Sequence, residues 1–393
     1  MPKIFELFGY RVGDTSQEAR VARKSAYCPF MNDVCDGGGN RYLSHIDLKK
    51  DSPLRNFFNK DLSRVPSGVC SIQPREDERP WIVCPRRLLT LYKQQTTETL
   101  RQEFTEEQLV SYSGVPLGTR LGVWSEVKVK LPISKVKREP RIAQFEEFED
   151  EESASEEQDE KSFDYTFDYV LMQLRSKRCS DVSESLGFST KQLLKVLEKT
   201  GYTMGRRDGE LYIEDFPDGP PLVVEIMTSS TSGGNKAKRN TVPAAFEDAI
   251  LGRVHNAPGI NYRQVWARMA SQLIVKSEVA IGWGGRTIWV LQDALVDYIS
   301  TSTKLDVRQF LARRPSEVNI LSLSYGDKFK KNAEHGVIEL TDARLFAGPI
   351  SSGSKSDRRP SFDDIIHVAA PPAVDKLVVV LAKKPRIRTI VVN

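Results

Sequence analysis

No run of uncharged apolar residues in this chain approaches the roughly 18 that a membrane-spanning helix needs, so no segment reads as a membrane anchor. The opening MPKIFELFGYRVGD lacks the basic-then-apolar order of a secretory leader, and a cytoplasmic protein is expected. Cysteine is sparse, five in 393 residues, and no two form a CxxC pair. In a reducing compartment, stable disulfides are the weaker explanation for them. No internal repeat is visible, which excludes a repeat architecture. The length leaves room for two or three domains with a substantial core.

Charge is unevenly spread. The net +4 conceals an acidic run at 146–160, EEFEDEESASEEQDE, which holds ten acids and no base, so the rest of the chain sums to +14. Just upstream stand Lys128, Lys130, Lys135, Lys137, Arg138 and Arg141. A block of like charge with few apolar residues buries too little surface to fold, and 146–160 is expected to be a disordered or solvated loop. Either it is a spacer, or it occupies a basic cleft until nucleic acid displaces it.

Four of the five cysteines, Cys28, Cys35, Cys70 and Cys84, fall in the first 84 residues, and Cys28 and Cys84 are each followed by proline. Proline after a ligand fixes chain direction and removes an amide donor, which suits a tight turn around an ion. Four clustered thiolates suit a closed tetrahedral site for structural iron or zinc; buried, unconnected thiols are the other reading. Cys179 stands apart as a core or surface thiol.

The pattern divides into a four-cysteine unit at 1–110, first core strands at 111–145, the acidic loop at 146–160, a further core strand at 161–175, an insertion at 176–214, the remaining core at 215–318 and a strand-rich part at 319–393. Val127, Val129 and Leu131 alternate with lysines, and Phe163, Tyr165, Phe167 and Tyr169 alternate with Asp164 and Asp168; both have the period of half-buried strands, here a long-looped hairpin. In 176–214, Val182 and Leu186, a glycine turn, a Ser189 or Thr190 cap and then Leu193, Leu194 and Leu197 predict a helix-turn-helix, with GRRDGELYI as a following hairpin. Helices are expected in TVPAAFEDAILGRV and INYRQVWARMASQLIVKSE, and a strand followed by a helix in RTIWVLQDALVDYI. VNILSLSYG, VIELTDARLFAG and KLVVVLAKK read as further strands. The whole predicts an α/β protein with a mixed sheet flanked by helices.

Glu225 follows Leu222, Val223 and Val224 at the end of a buried strand, where a carboxylate is costly unless paired or bound to a cation. If Asp168 lies on the adjacent strand, the two acids converge on one hard ion, for which Mg²⁺ is the usual choice with phosphate ligands. That is the outline of a D…ExK nuclease site, except that Met227 occupies the lysine position. Lys236, Lys238, Thr228 and Gln272 are the candidates for the missing role.

Several segments together resemble the NotI-type restriction endonucleases: ELFGYRV, CPF at 28–30, SGVCSI, WIVCPRRLL, TFDYVL, LVVEIMT and INYRQVWARMASQ, spread from about residue 5 to 300. The resemblance implies a restriction-endonuclease-like sheet, an iron-binding unit built on Cys28, Cys35, Cys70 and Cys84, and Asp168 and Glu225 as Mg²⁺ ligands. It further implies a homodimeric type II enzyme that cuts both strands of a short double-stranded DNA sequence, with a cognate methyltransferase. Met227 replaces the family's glutamine, and the 176–214 insertion leaves Asp164 and Asp215 as alternatives to Asp168. SSTSGGNKAKRN, leaving the catalytic strand with Ser229, Ser230, Asn235, Lys236, Lys238, Arg239 and Asn240, offers donors for bases and phosphates. The other reading is a metal-containing DNA-binding regulator that does not cleave.

Overall fold

The computed structural model describes residues 1–39, 45–49, 51–58, 63–91, 106–130, 164–302, 307–330, 335–350 and 373–391. The expected acidic loop at 146–160 and the basic residues Lys135, Lys137, Arg138 and Arg141 lie outside them.

The centre is a mixed sheet of β1 (Arg120–Lys130), β2 (Asp164–Arg178), β3 (Glu210–Met227), β4 (Arg286–Gln292), β5 (Val318–Ser324), β6 (Thr341–Gly348) and β7 (Arg388–Val391). Their order is β6-β5-β4-β3-β2-β1-β7, and Met204–Arg207 pairs with β3 as an eighth strand. β1, β2 and β3 form an antiparallel meander, whereas β3, β4 and β5 run parallel. Parallel strands are covered on both faces, and β5 accordingly buries every residue of VNILSLS.

Helix α1 (Cys179–Leu186) and helix α2 (Thr190–Lys199) cap the tip of the long β2–β3 hairpin. Helices α3 (Val242–Ile250) and α4 (Tyr262–Gly282) fill the crossover from β3 to β4, and α5 (Asp293–Ser302) the next one. On one face of the sheet, Leu171, Leu222, Val224, Ile288, Val290 and Leu321 pack with Ile82 and Leu88 of the N-terminal part. On the other, Met172 and Val223 meet Val279 and Trp283 of α4.

That N-terminal part has its own sheet, formed by Lys3–Leu7, Tyr10–Arg11, Val69–Gln73 and Trp81–Ile82. Fully buried Arg87 grips fully buried Glu6 through two bonds of 3.1 Å. Ser71 (2.8 Å) and Tyr325 (2.6 Å) donate to the same carboxylate. Because Tyr325 directly follows β5, this satisfied ion pair fastens the N-terminal part to the central sheet.

One expected strand is a helix. KLVVVLAKK forms most of α6 (Val374–Ala382), whose Leu377 and Leu381, four apart, are buried against Trp124, Phe167 and Trp283. Its valine run favours a strand, but the four-residue spacing fits one helical face and packing decides between them. The C-terminal edge strand is formed instead by RTIV, paired with β1. The helix-turn-helix pattern forms with Ser189 in a reciprocal capping box with Gln192. β2 runs on to Arg178 and β3 starts at Glu210, so the expected hairpin after the second helix is Met204–Arg207 paired with the head of β3.

Candidate active site

β2 and β3 pair at Tyr169↔Val224, and the next step of that register sets Asp168 against Glu225. Here side chains take over from the backbone ladder. Asp168 Oδ2 accepts the Ile226 amide at 2.8 Å, and Glu225 Oε1 accepts the Asp168 amide at 3.4 Å. On β1, Val127 and Ser125 pair with Phe167 and Tyr169, and Glu126 between them holds a left-handed φ of +48°. The alternation of faces breaks at this point, because Phe167 and Val170, three residues apart, join the same core cluster. Asp168 lies within this irregular stretch, with its carboxylate on the Ile226 amide.

Helix α4 begins at an Asn261 cap that accepts the Gln264 amide at 3.2 Å, and crosses the same side of the sheet. Met269, Leu273, Lys276, Ala280 and Trp283 are all buried at helical spacing, so Lys276 interrupts an apolar stripe. Its Nζ donates to Glu225 Oε2 at 2.5 Å and stands 5.7 Å from the centre of the Phe167 ring. Only 3% of Glu225 and 8% of Lys276 is exposed, whereas Asp168 is half-buried and forms the open side of the trio.

Burial, reinforced by the charge of Asp168, pushes the Glu225 carboxyl up to about 8 despite the opposing pull of Lys276. Burial also raises Asp168, against Lys276, the Ile226 amide and Arg86. Two carboxyls held side by side at raised pKa gain most from a cation, which favours both charged forms. The donor set, two carboxylates open on one side, suits a hard ion such as Mg²⁺, and the ammonium can face a phosphate.

The other expected partners are elsewhere. Asp164 lies four residues up β2, opposite Lys130, and Asp215 is bound by Arg120 at 2.7 and 3.0 Å. Gln272 is half-buried one helical turn before Lys276 and makes no hydrogen bond to either carboxylate; Lys236 lies in an exposed turn. Met227 is buried with Met269 and Leu273 of α4, so the position two after Glu225 is filled by packing. The ammonium comes from the helix that covers it. Lys276 was legible in the sequence as the one charge on that apolar stripe, needing a buried partner.

The loop after β3 is partly pinned. Ser229 is buried with its amide on the Ile82 carbonyl (3.0 Å), and Ser232 bonds twice to the Gly259 carbonyl (2.7 and 3.0 Å). The Ser230 hydroxyl is buried with no partner among the described residues. Arg239 is held by Asp248 and Glu247, and Asn235 Oδ1 receives the amides of Ala237 and Lys238. Lys236 and Lys238 remain exposed.

The four N-terminal cysteines gather in one cluster with Phe30. Gly9 donates its amide to Cys70 Sγ (3.3 Å) and Gly37 to Cys35 Sγ (3.4 Å). Backbone amides of Phe30 and Met31 bond to Cys28, and those of Arg86 and Arg87 to Cys84. Gly9 and Gly38 both have φ of +83°, and a Cβ on Gly9 would meet Pro29 Cγ at 2.4 Å. Burial pushes the Cys28 thiol up to about 12 and raises Cys35; a hydrogen bond between Cys70 and Cys84 raises the former and lowers the latter. Among the described residues, no group of three or more His, Cys, Asp or Glu side chains is arranged to hold a metal ion. Cys179 is buried in the core of the α1–α2 pair.

In comparisons with known proteins, the chain matches no family model and no curated protein sequence.

Proposed function

We propose that this protein is a Mg²⁺-dependent deoxyribonuclease of the type II restriction class, cutting both strands of a specific short sequence in double-stranded DNA. The observation that carries this is the convergence of Asp168, Glu225 and Lys276 from two adjacent strands and the helix covering them. Further support is the large mixed sheet flanked by helices, the coarse architecture within which the resemblance implies a restriction-endonuclease-like sheet. Asp168 and Glu225 would hold Mg²⁺, which when bound supplies Lewis-acid stabilisation of the scissile phosphate. Lys276, released from Glu225, offsets charge developing on that phosphate. The restriction class, a homodimer with one site per strand and a cognate methyltransferase rest on the sequence resemblance. In this assignment Cys28, Cys35, Cys70 and Cys84 would hold a structural iron or zinc ion, and the amide donors to the Cys70 and Cys35 sulfurs would favour the thiolate forms that such an ion requires.

The test is digestion of unmethylated phage DNA by the purified chain with Mg²⁺ or EDTA. Discrete Mg²⁺-dependent bands, absent for Lys276→Ala, support it. Retardation of DNA without cutting would favour the regulator instead, for which the α1–α2 helix-turn-helix is the structural argument.

A further inference from the structure

Helix α2 buries Leu193 and Leu197 against Cys179, Val182, Ile213 and Phe216. Its opposite face carries Lys191, Lys195 and Lys199, four apart and therefore in one row, all exposed. None of the three makes an ion pair with another described residue. Glu198 is the one acid on that face. Acids gather instead on α1, where Asp181 and Glu184 are exposed, so the module separates its charges between its two helices. Next to α2, the hairpin Met204–Arg207 turns at Asp208 and Gly209, with left-handed φ of 51° and 82°, and exposes Arg206.

Placement gives this row its meaning. The two strands that carry Asp168 and Glu225 are the ones whose far ends carry α1 and α2. From Asp168 to the end of β2 is roughly ten residues, or about 33 Å at the usual strand rise. One turn of B-DNA is about 34 Å. An evenly spaced row of ammonium groups, unpaired among the described residues, matches a phosphate backbone, which rewards neutralisation by releasing counterions.

We propose that the outer face of α2, with Lys191, Lys195 and Lys199, docks on the phosphate backbone of the DNA about one helical turn from the scissile bond. This rests on the nuclease assignment for the identity of the cut, though not for binding itself. The contact positions the duplex and carries no sequence information.

The experiment uses the full chain in Ca²⁺ and a fluorescein-labelled 40-bp duplex, with affinity measured by anisotropy between 50 and 200 mM KCl. Each lost phosphate contact lowers the slope of log K against log salt by about 0.9. The triple variant Lys191→Ala, Lys195→Ala, Lys199→Ala should lower it by about 2 to 3 and bind roughly 10- to 100-fold more weakly at physiological salt, while Lys→Arg replacements restore binding. The variant should also gain less than the wild type on going from a 12-bp to a 40-bp duplex. An unchanged slope in a triple variant with unchanged circular dichroism overturns the proposal, and points the face towards a protein partner. Loss of slope in a chain that never cuts would sink the nuclease assignment and leave this one standing; normal cutting with an unchanged slope would do the reverse.

Discussion

At the scale of residues, a buried ammonium stands against one of two neighbouring carboxyls. Replacing Lys276 by Ala removes the cation beside the site and leaves Glu225 buried without its partner. Cleavage should fall by at least 100-fold, in line with the loss of an electrostatic donor, while binding of DNA in Ca²⁺ persists. Gln272→Ala should cost far less, since among the described residues Gln272 makes no hydrogen bond to either carboxylate. Glu225 adds a pH signature. Burial holds its folded pKa at about 8, above the 4.5 of an ordinary glutamate, so between these the native state binds more protons than the unfolded one. Without divalent ions, stability should therefore fall as pH rises from about 4.5 to 8, by at most ~1.4 kcal/mol per pH unit. Urea unfolding across that range should show the decline, Glu225→Gln should flatten it, and Mg²⁺ should stabilise more at pH 8 than at pH 5.

Elements show where the sequence was legible and where it was not. Alternation gave the hairpin of β1 and β2, and apolar runs gave β4 and β5, because faces buried against layers leave a period of two or none. The α1–α2 pair announced itself through Ser189 and its leucines. Asp168 and Glu225 were visible as acids at strand positions, but Lys276 is 51 positions from Glu225, and only the packing of α4 on β3 unites them. In α6, residue preference misled: three consecutive valines suit a strand, yet Leu377 and Leu381 drop into the space beside Trp283 only from a helix. Leu381→Ala should cost about 2 to 5 kcal/mol by thermal or urea unfolding. A cost under 1 kcal/mol would show that α6 is not part of the core.

Across the whole molecule, the N-terminal part acts as a platform for the site. Ile82 accepts the Ser229 amide just beyond Glu225, and Arg86, two residues after Cys84, reaches the hydroxyl of Tyr169, neighbour of Asp168, at 3.2 Å. The segment that holds Cys84 is thereby tied to the strands that carry Asp168 and Glu225. Under the proposed assignment, elemental analysis should detect iron or zinc in the wild type and none in Cys28→Ser, whose melting temperature should also fall; a wild type without either metal, or unchanged metal content in the variant, would remove these thiols from any metal site. Because thiols with raised pKa must deprotonate to bind, uptake of Zn²⁺ by metal-free protein should release protons and strengthen with pH. The Glu6–Arg87 pair tests the fastening between the N-terminal part and the sheet. Arg87→Met leaves a buried carboxylate unpaired and should cost about 3 to 5 kcal/mol.

The most direct test compares wild-type protein with Asp168→Asn, Glu225→Gln and Lys276→Ala in one Mg²⁺ digestion of unmethylated phage DNA. A nuclease built on this trio gives discrete bands for the wild type, none with EDTA, and none for the three variants, all of which still shift DNA in Ca²⁺. Undiminished cutting by Lys276→Ala or Glu225→Gln would contradict it.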